Sequence, residues 1–170
     1  MRKLMYFTLS MFMLVGTTSM AQEETKKEKR SEHKAELKKE VSALVDSRVY
    51  AFVARTVLPL SMPPINLNPD SGGVLFGPEM VNSNLPFFGR AYGGANLDND
   101  KGMTFSGPPE NYKIENRKKS YEIEMDVKTD DETYEISLSV SFDGSALLTI
   151  SSVDRSDISY SGVIASIKKE

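Results

Sequence analysis

The chain has no cysteine, no tryptophan and a single histidine, His33, among its 170 residues. Without cysteine there can be no disulfide, thiolate zinc site, iron–sulfur ligation or cysteine nucleophile. One histidine excludes a multi-histidine metal site and argues against a Ser-His-Asp triad. His33 stands in a charged stretch and reads as a solvated helix residue. Neither sign of charge dominates: 21 basic and 24 acidic residues leave −3, so nothing points to nucleic acid. Long apolar runs are also missing. The longest, Leu4–Val15, spans 12 residues, short of the roughly twenty a membrane-spanning helix needs. With 39% apolar and 26% charged residues the composition is that of one ordinary soluble domain.

The first residues read as an export signal. A basic start (Arg2, Lys3) leads into the apolar run, and Ser19-Met20-Ala21 supplies small residues where a signal peptidase needs them. Cleavage after Ala21 removes 21 of the 170 residues, starts the mature chain at Gln22 and takes the charge from −3 to −5. No cysteine follows the cut, so the chain is not expected to be a lipoprotein. The expected location is the periplasm or cell envelope, with secretion as the alternative, and no transmembrane segment after cleavage.

Residues 22–35 are charged and without large apolar side chains, which predicts a frayed or disordered helix start. Leu37, Val41, Leu44 and Val45 then fall on one helical face. Val49–Val57 is apolar on both faces, which suits a strand covered by the core on one side and the helix on the other. All eight prolines and eight of eleven glycines lie between Pro59 and Pro109, a zone of short strands and defined loops. Downstream, Tyr121–Lys128 and Tyr134–Phe142 alternate apolar and polar residues as half-buried strands. A three-residue loop, Phe142–Gly144, pairs Val140 with Ala146, Leu138 with Leu148 and Ile136 with Ile150, matching apolar with apolar. Ile158, Tyr160, Gly162 and Ile164 share one face of a last strand. The expected fold is α+β, mostly β. An N-terminal amphipathic helix packs on a curled antiparallel sheet, or partly open barrel, of seven to eight strands, as a single domain over residues 36–167.

The stretch Leu85-Pro86-Phe87-Phe88-Gly89-Arg90-Ala91-Tyr92 resembles the LPYFGRAY signature of a family of Bacteroidota envelope proteins, domain of unknown function 4251. The helix running into an aromatic strand (Tyr50, Phe52, Ala54), Gly102–Phe105 and the terminal Ile158-Ser159-Tyr160-x-Gly162 fit the same family. The resemblance spans roughly Glu36 to Ile164. Phe87 departs from it, because the family often has tyrosine there. The resemblance implies an envelope location and this fold, and it implies no activity.

The candidate residues are those of the signature and its C-terminal partner motif: Pro86, Phe87, Phe88, Gly89, Arg90, Tyr92, Tyr160 and Gly162. Arg90 beside aromatics could clamp an anionic ligand together with Tyr92 and Tyr160. The simpler expectation is a partly buried Arg90 paired with Asp154 or Asp157, pinning the loop. Asn96-x-Asp98-x-Asp100 opens like a calcium loop, but Lys101 replaces the glycine at position six and Gly107 the terminal glutamate. Gly89, Gly93 and Gly94 are followed by no Gly-Lys-Ser/Thr and form no phosphate cradle. No metal, no cofactor and no catalytic constellation are expected. The functional expectation is a non-enzymatic envelope module that binds a small ligand. The alternative is a structural or protein-interaction domain of the envelope.

Overall fold

The structure, a computed structural model, describes residues 18–68, 70–90, 92 and 102–167. The expected signal peptide therefore lies largely outside the described residues, and the Asn96–Asp100 cluster wholly so. The chain divides into two compact units, Met1–Glu36 and Leu37–Glu170. Helix α1 covers Thr18–Ser47, including the stretch expected to be frayed, and Glu28–Glu36 are all exposed. From Leu37 onward the apolar stripe takes over. Val41 and Val45 are buried and Leu44 packs beside them. Lys38 lies over the Phe142 ring at 4.3 Å. The helix ends where the Arg48 amide bonds back to the Val45 carbonyl (3.1 Å) and Arg48 turns left-handed, with φ of 55°.

Ten strands follow: β1 (Tyr50–Pro59), β2 (Ile65–Asn66), β3 (Gly73–Phe76), β4 (Val81–Leu85), β5 (Met103–Gly107), β6 (Pro109–Asn116), β7 (Ser120–Lys128), β8 (Thr133–Ser141), β9 (Ser145–Ser152) and β10 (Ile158–Ala165). They form one antiparallel sheet in the order β5-β4-β3-β1-β10-β9-β8-β7-β6, with β2 paired to β1. The chain thus starts mid-sheet at β1 and works outward through β3 and β4 to the edge strand β5. It then reappears on the opposite edge as β6 and returns to β10, which pairs with β1. Only Pro108 separates β5 from β6, so the two edges must approach and the sheet curls almost into a barrel. Phe105 of β5 stacks on Tyr134 of β8 across the interior, with ring centres 4.0 Å apart and planes 12° apart.

The strand count corrects the expectation of seven to eight. β2 is only two residues long, and β6 carries no alternation because it is an exposed edge. Its Glu110, Lys113 and Glu115 suit such an edge, since charges there discourage pairing with another chain. The expected cover on the outer face of β1 is also corrected. Val41 and Val45 join the inward cluster with Tyr50 and Phe52, whereas Ala51 and Val53 on the outer face stay half-buried.

The β8–β9 register is the one read from the faces: Ile136 pairs with Ile150, Leu138 with Leu148 and Val140 with Ala146. Gly144 closes that hairpin with φ of 84°. Gly162 serves differently. Any Cβ there would overlap the Val53 carbonyl oxygen and crowd the Phe52 ring, at 2.9 Å from Cζ. Its partner strand β1 also shifts register between Ala54 and Thr56.

These two glycines make graded predictions. Gly162→Ala forces β10 and β1 apart and is expected to cost about 3 kcal/mol. That is a fall in melting temperature of about 6–12 °C. A Cβ at Gly144 meets only Val41 Cγ2, at 3.8 Å, so Gly144→Ala carries the left-handed backbone cost alone, about 1 kcal/mol. Thermal melts read both, and equal shifts would contradict the close approach at Gly162.

Candidate functional site

The signature loop begins where β4 stops. Leu85 points into the core, and Pro86, lacking an N–H, ends the ladder. The freed Pro86 carbonyl accepts a hydrogen bond from the Tyr160 hydroxyl at 2.8 Å. Tyr160 is completely buried on β10, and burial pushes its pKa well above the ordinary value against a lowering effect of Arg155. Phe87 packs half-buried against the core, with the Arg155 guanidinium 5.3 Å from its ring centre. Arg155 also donates to the Gly102 carbonyl, so one cation ties both ends of the loop. At Gly89 a Cβ would collide with the Phe87 ring and the Ser156 hydroxyl. The Arg90 amide donates to Ser156 Oγ (3.0 Å), and the Ser156 amide donates back to the Arg90 carbonyl (2.9 Å). The Tyr92 amide adds a bond to the Asp154 carbonyl (2.8 Å). Residues 86–90 and Tyr92 are thereby strapped to the β9–β10 loop.

This geometry corrects the expectation for Arg90. It is exposed, and among the described residues it forms no ion pair with Asp154 or Asp157. Its hold on the loop is through its backbone and Ser156, and the half-buried cation is Arg155. Nor do Arg90, Tyr92 and Tyr160 converge on an open site. The Tyr160 hydroxyl is committed to Pro86, while Tyr92 is 68% exposed and Phe88 sits at the surface. Gly162 belongs to the β1–β10 contact, away from the loop.

A different place has unused binding groups. Arg48, Tyr50, Phe76, Pro78, Pro109, Tyr112 and Met125 surround a cavity of about 50 Å³. Tyr50 and Phe76 come from β1 and β3, Tyr112 and Met125 from β6 and β7, so the cavity lies across the incomplete closure of the sheet. Tyr50 is 1% exposed and packs against Phe76 with ring centres 5.0 Å apart and planes tilted by 32°. Tyr112 is half-buried beneath the Arg48 guanidinium, which lies 4.1 Å from its ring centre. Both phenol oxygens are buried and have no hydrogen-bond partner among the described residues. Burial raises the pKa of each, and for Tyr50 the neighbouring Tyr112 adds to the effect. Both are therefore neutral O–H donors at neutral pH. Residue reading alone missed this set. Tyr50 stood out in the aromatic strand, but Tyr112 lies in the unrecognised β6. The only local signal for Arg48 was an arginine where a helix usually ends in glycine.

The remaining features are solvated. A groove of about 390 Å³ on the outer face of β6–β9 is open and lined by groups of both signs, including Lys113, Glu124, Asp126 and Glu135. Among the described residues no group of three or more histidine, aspartate or glutamate side chains could hold a metal ion.

The strap predicts unequal variants. Tyr160→Phe removes the donor to the Pro86 carbonyl and is expected to cost about 1–2 kcal/mol, a melting shift of about 3–6 °C. Arg90→Ala leaves the strapping backbone bonds in place and should stay within about 0.5 kcal/mol. A larger loss for Arg90→Ala than for Tyr160→Phe would contradict the arrangement.

Comparison with known proteins places this architecture. Residues 32–164 match the family described as Domain of unknown function (DUF4251). The fold is similar to the crystal structure of a DUF4251 family protein from Bacteroides eggerthii. The TM-score is 0.61 at 14% identity, covering 76% of this chain and 87% of that one. No curated protein matches the chain. With the family match spanning residues 32–164 of 170, the chain belongs to the DUF4251 family.

Proposed function

We propose that the protein is a non-enzymatic, exported module of the cell envelope that holds one end of a small ligand in the cavity beneath Arg48. The observation that carries this reading is the pair of buried phenols, Tyr50 and Tyr112, that line one cavity without a hydrogen-bond partner among the described residues. An unsatisfied buried hydroxyl costs about 1–3 kcal/mol, and such groups persist where something outside the chain satisfies them. Among the described residues, twenty-six buried hydrophobic side chains form one cluster within the sheet, and three of them, Tyr50, Phe76 and Met125, line this cavity. Two neutral phenols with raised pKa values are donors rather than bases working near neutral pH, which supports binding over proton-transfer catalysis. Export rests on the leader-like residues 1–21. No helix among the described residues is long and apolar enough to cross a membrane. The signature loop, on this reading, is structural: it locks the sheet rather than touching ligand.

A structural or protein-contact role is the second reading. It draws on the outer face of β3, β1 and β10, where Leu75 is 48% exposed beside half-buried Ala51, Val53, Val163 and Ala165. Native mass spectrometry of protein taken from its own envelope separates the two. Binding predicts a small molecule retained by the wild type and lost from Tyr50→Phe. A chain that carries no small molecule but a stoichiometric protein partner would overturn it in favour of the contact role.

A further inference from the structure

Resting on that reading, we propose that Arg48, Tyr50 and Tyr112 receive the carboxylate group of the ligand. Two independent features of the molecule converge on this. The first is the backbone of Arg48. Its φ of 55° is a conformation that glycine or asparagine adopts at helix ends and that costs any other side chain energy. Strain of that kind is retained where the side chain is needed. The guanidinium lies 4.1 Å from the Tyr112 ring centre, a cation–π contact that uses none of its N–H groups as hydrogen-bond donors. Among the described residues they meet no acceptor and no carboxylate. The second is the cavity lining. Tyr50, almost wholly buried, and Tyr112 bring two O–H groups that have no partner among the described residues.

The donor set decides the ligand chemistry. Phe76, Pro78 and Met125 add apolar walls, and no acidic side chain lines the cavity. A bound cation would meet Arg48 and no carboxylate in the lining itself. An oxyanion would find two phenol donors and a guanidinium fork, the geometry that a planar carboxylate fills. Size agrees. The cavity of about 50 Å³ is several times the roughly 10–15 Å³ that holds one water, which leaves room for a carboxylate group. Charge favours a monoanion over a phosphate dianion, because Arg48 is the one cation in the lining and Asp46 is close enough to act on Tyr112.

Nuclear magnetic resonance of the full protein labelled at tyrosine Cζ tests this, with acetate as the probe. Acetate should shift the Tyr50 and Tyr112 signals saturably and leave Tyr134 and Tyr160 in place. Arg48→Gln should weaken acetate binding about tenfold or more, the size of one charge-assisted hydrogen bond. Arg48→Gly, which relieves the positive φ, should fold at least as well as the wild type and lose the response as well. An Arg48→Gly protein that keeps its acetate affinity overturns the proposal. Acetamide has the same shape without the charge. If it binds as tightly as acetate, the carboxylate assignment falls while the binding reading stands. Tighter binding of inorganic phosphate overturns the assignment in favour of a phosphoryl group. Silence to all three probes overturns the carboxylate site, and the native mass spectrum then decides the binding reading separately.

Discussion

β5 and β6 follow one another in the chain with only Pro108 between them, yet they occupy opposite edges of the sheet. A sheet of this length cannot satisfy that link while flat. It has to curl until the edges meet, and the inward face of every strand then shares one core. Phe105 reaches Tyr134 only because of this closure. Closure is incomplete, however. At the Arg48 end the gap between the β1–β3 side and the β6–β7 side leaves the small cavity that Tyr50 and Tyr112 share. The candidate site is thus a consequence of topology, and its residues come from parts of the chain about sixty residues apart.

The signature loop does complementary work elsewhere on the sheet. Tyr160 reaches from the core to the Pro86 carbonyl, Arg155 grips Phe87 and Gly102, and Ser156 exchanges bonds with the Arg90 backbone. Each contact joins β4 and its loop to β10 or to the loop before it. β4 and β10 are not neighbours in the sheet. The strap therefore ties together strands that the backbone ladder leaves apart. A string so specific in sequence is accounted for by close fit, with Gly89 admitting the Phe87 ring and Ser156 where any Cβ would collide.

Much of the second half of the fold was legible because half-buried strands leave a period-two record. Ile136, Leu138 and Val140 carried both the strand and its register against β9, and the face of β10 was visible in Ile158, Tyr160, Gly162 and Ile164. β6 left no record, because only Pro109 and Tyr112 of its eight residues are half-buried, three positions apart rather than alternating. Arg90 was misjudged from its aromatic neighbours. Adjacent residues do not determine burial, and the loop turns that side chain to solvent while using its backbone. Arg155 was hidden between two acids that looked like partners for something else. The pairing of Tyr50 with Tyr112 depends on sheet closure, a non-local property that no window of sequence contains.

Closure across the β5–β6 link makes both halves of the sheet one cooperative unit. Native-state hydrogen exchange measures it directly, by comparing buried β4 amides with those of β8. Both sets are expected to open only by global unfolding, with the same free energy. Phe105→Ala is expected to lower both by the same amount, since removing one interior ring weakens the shared core. Exchange from β4 at a distinctly lower free energy, with Phe105→Ala leaving β8 untouched, would show two independent halves and contradict the account.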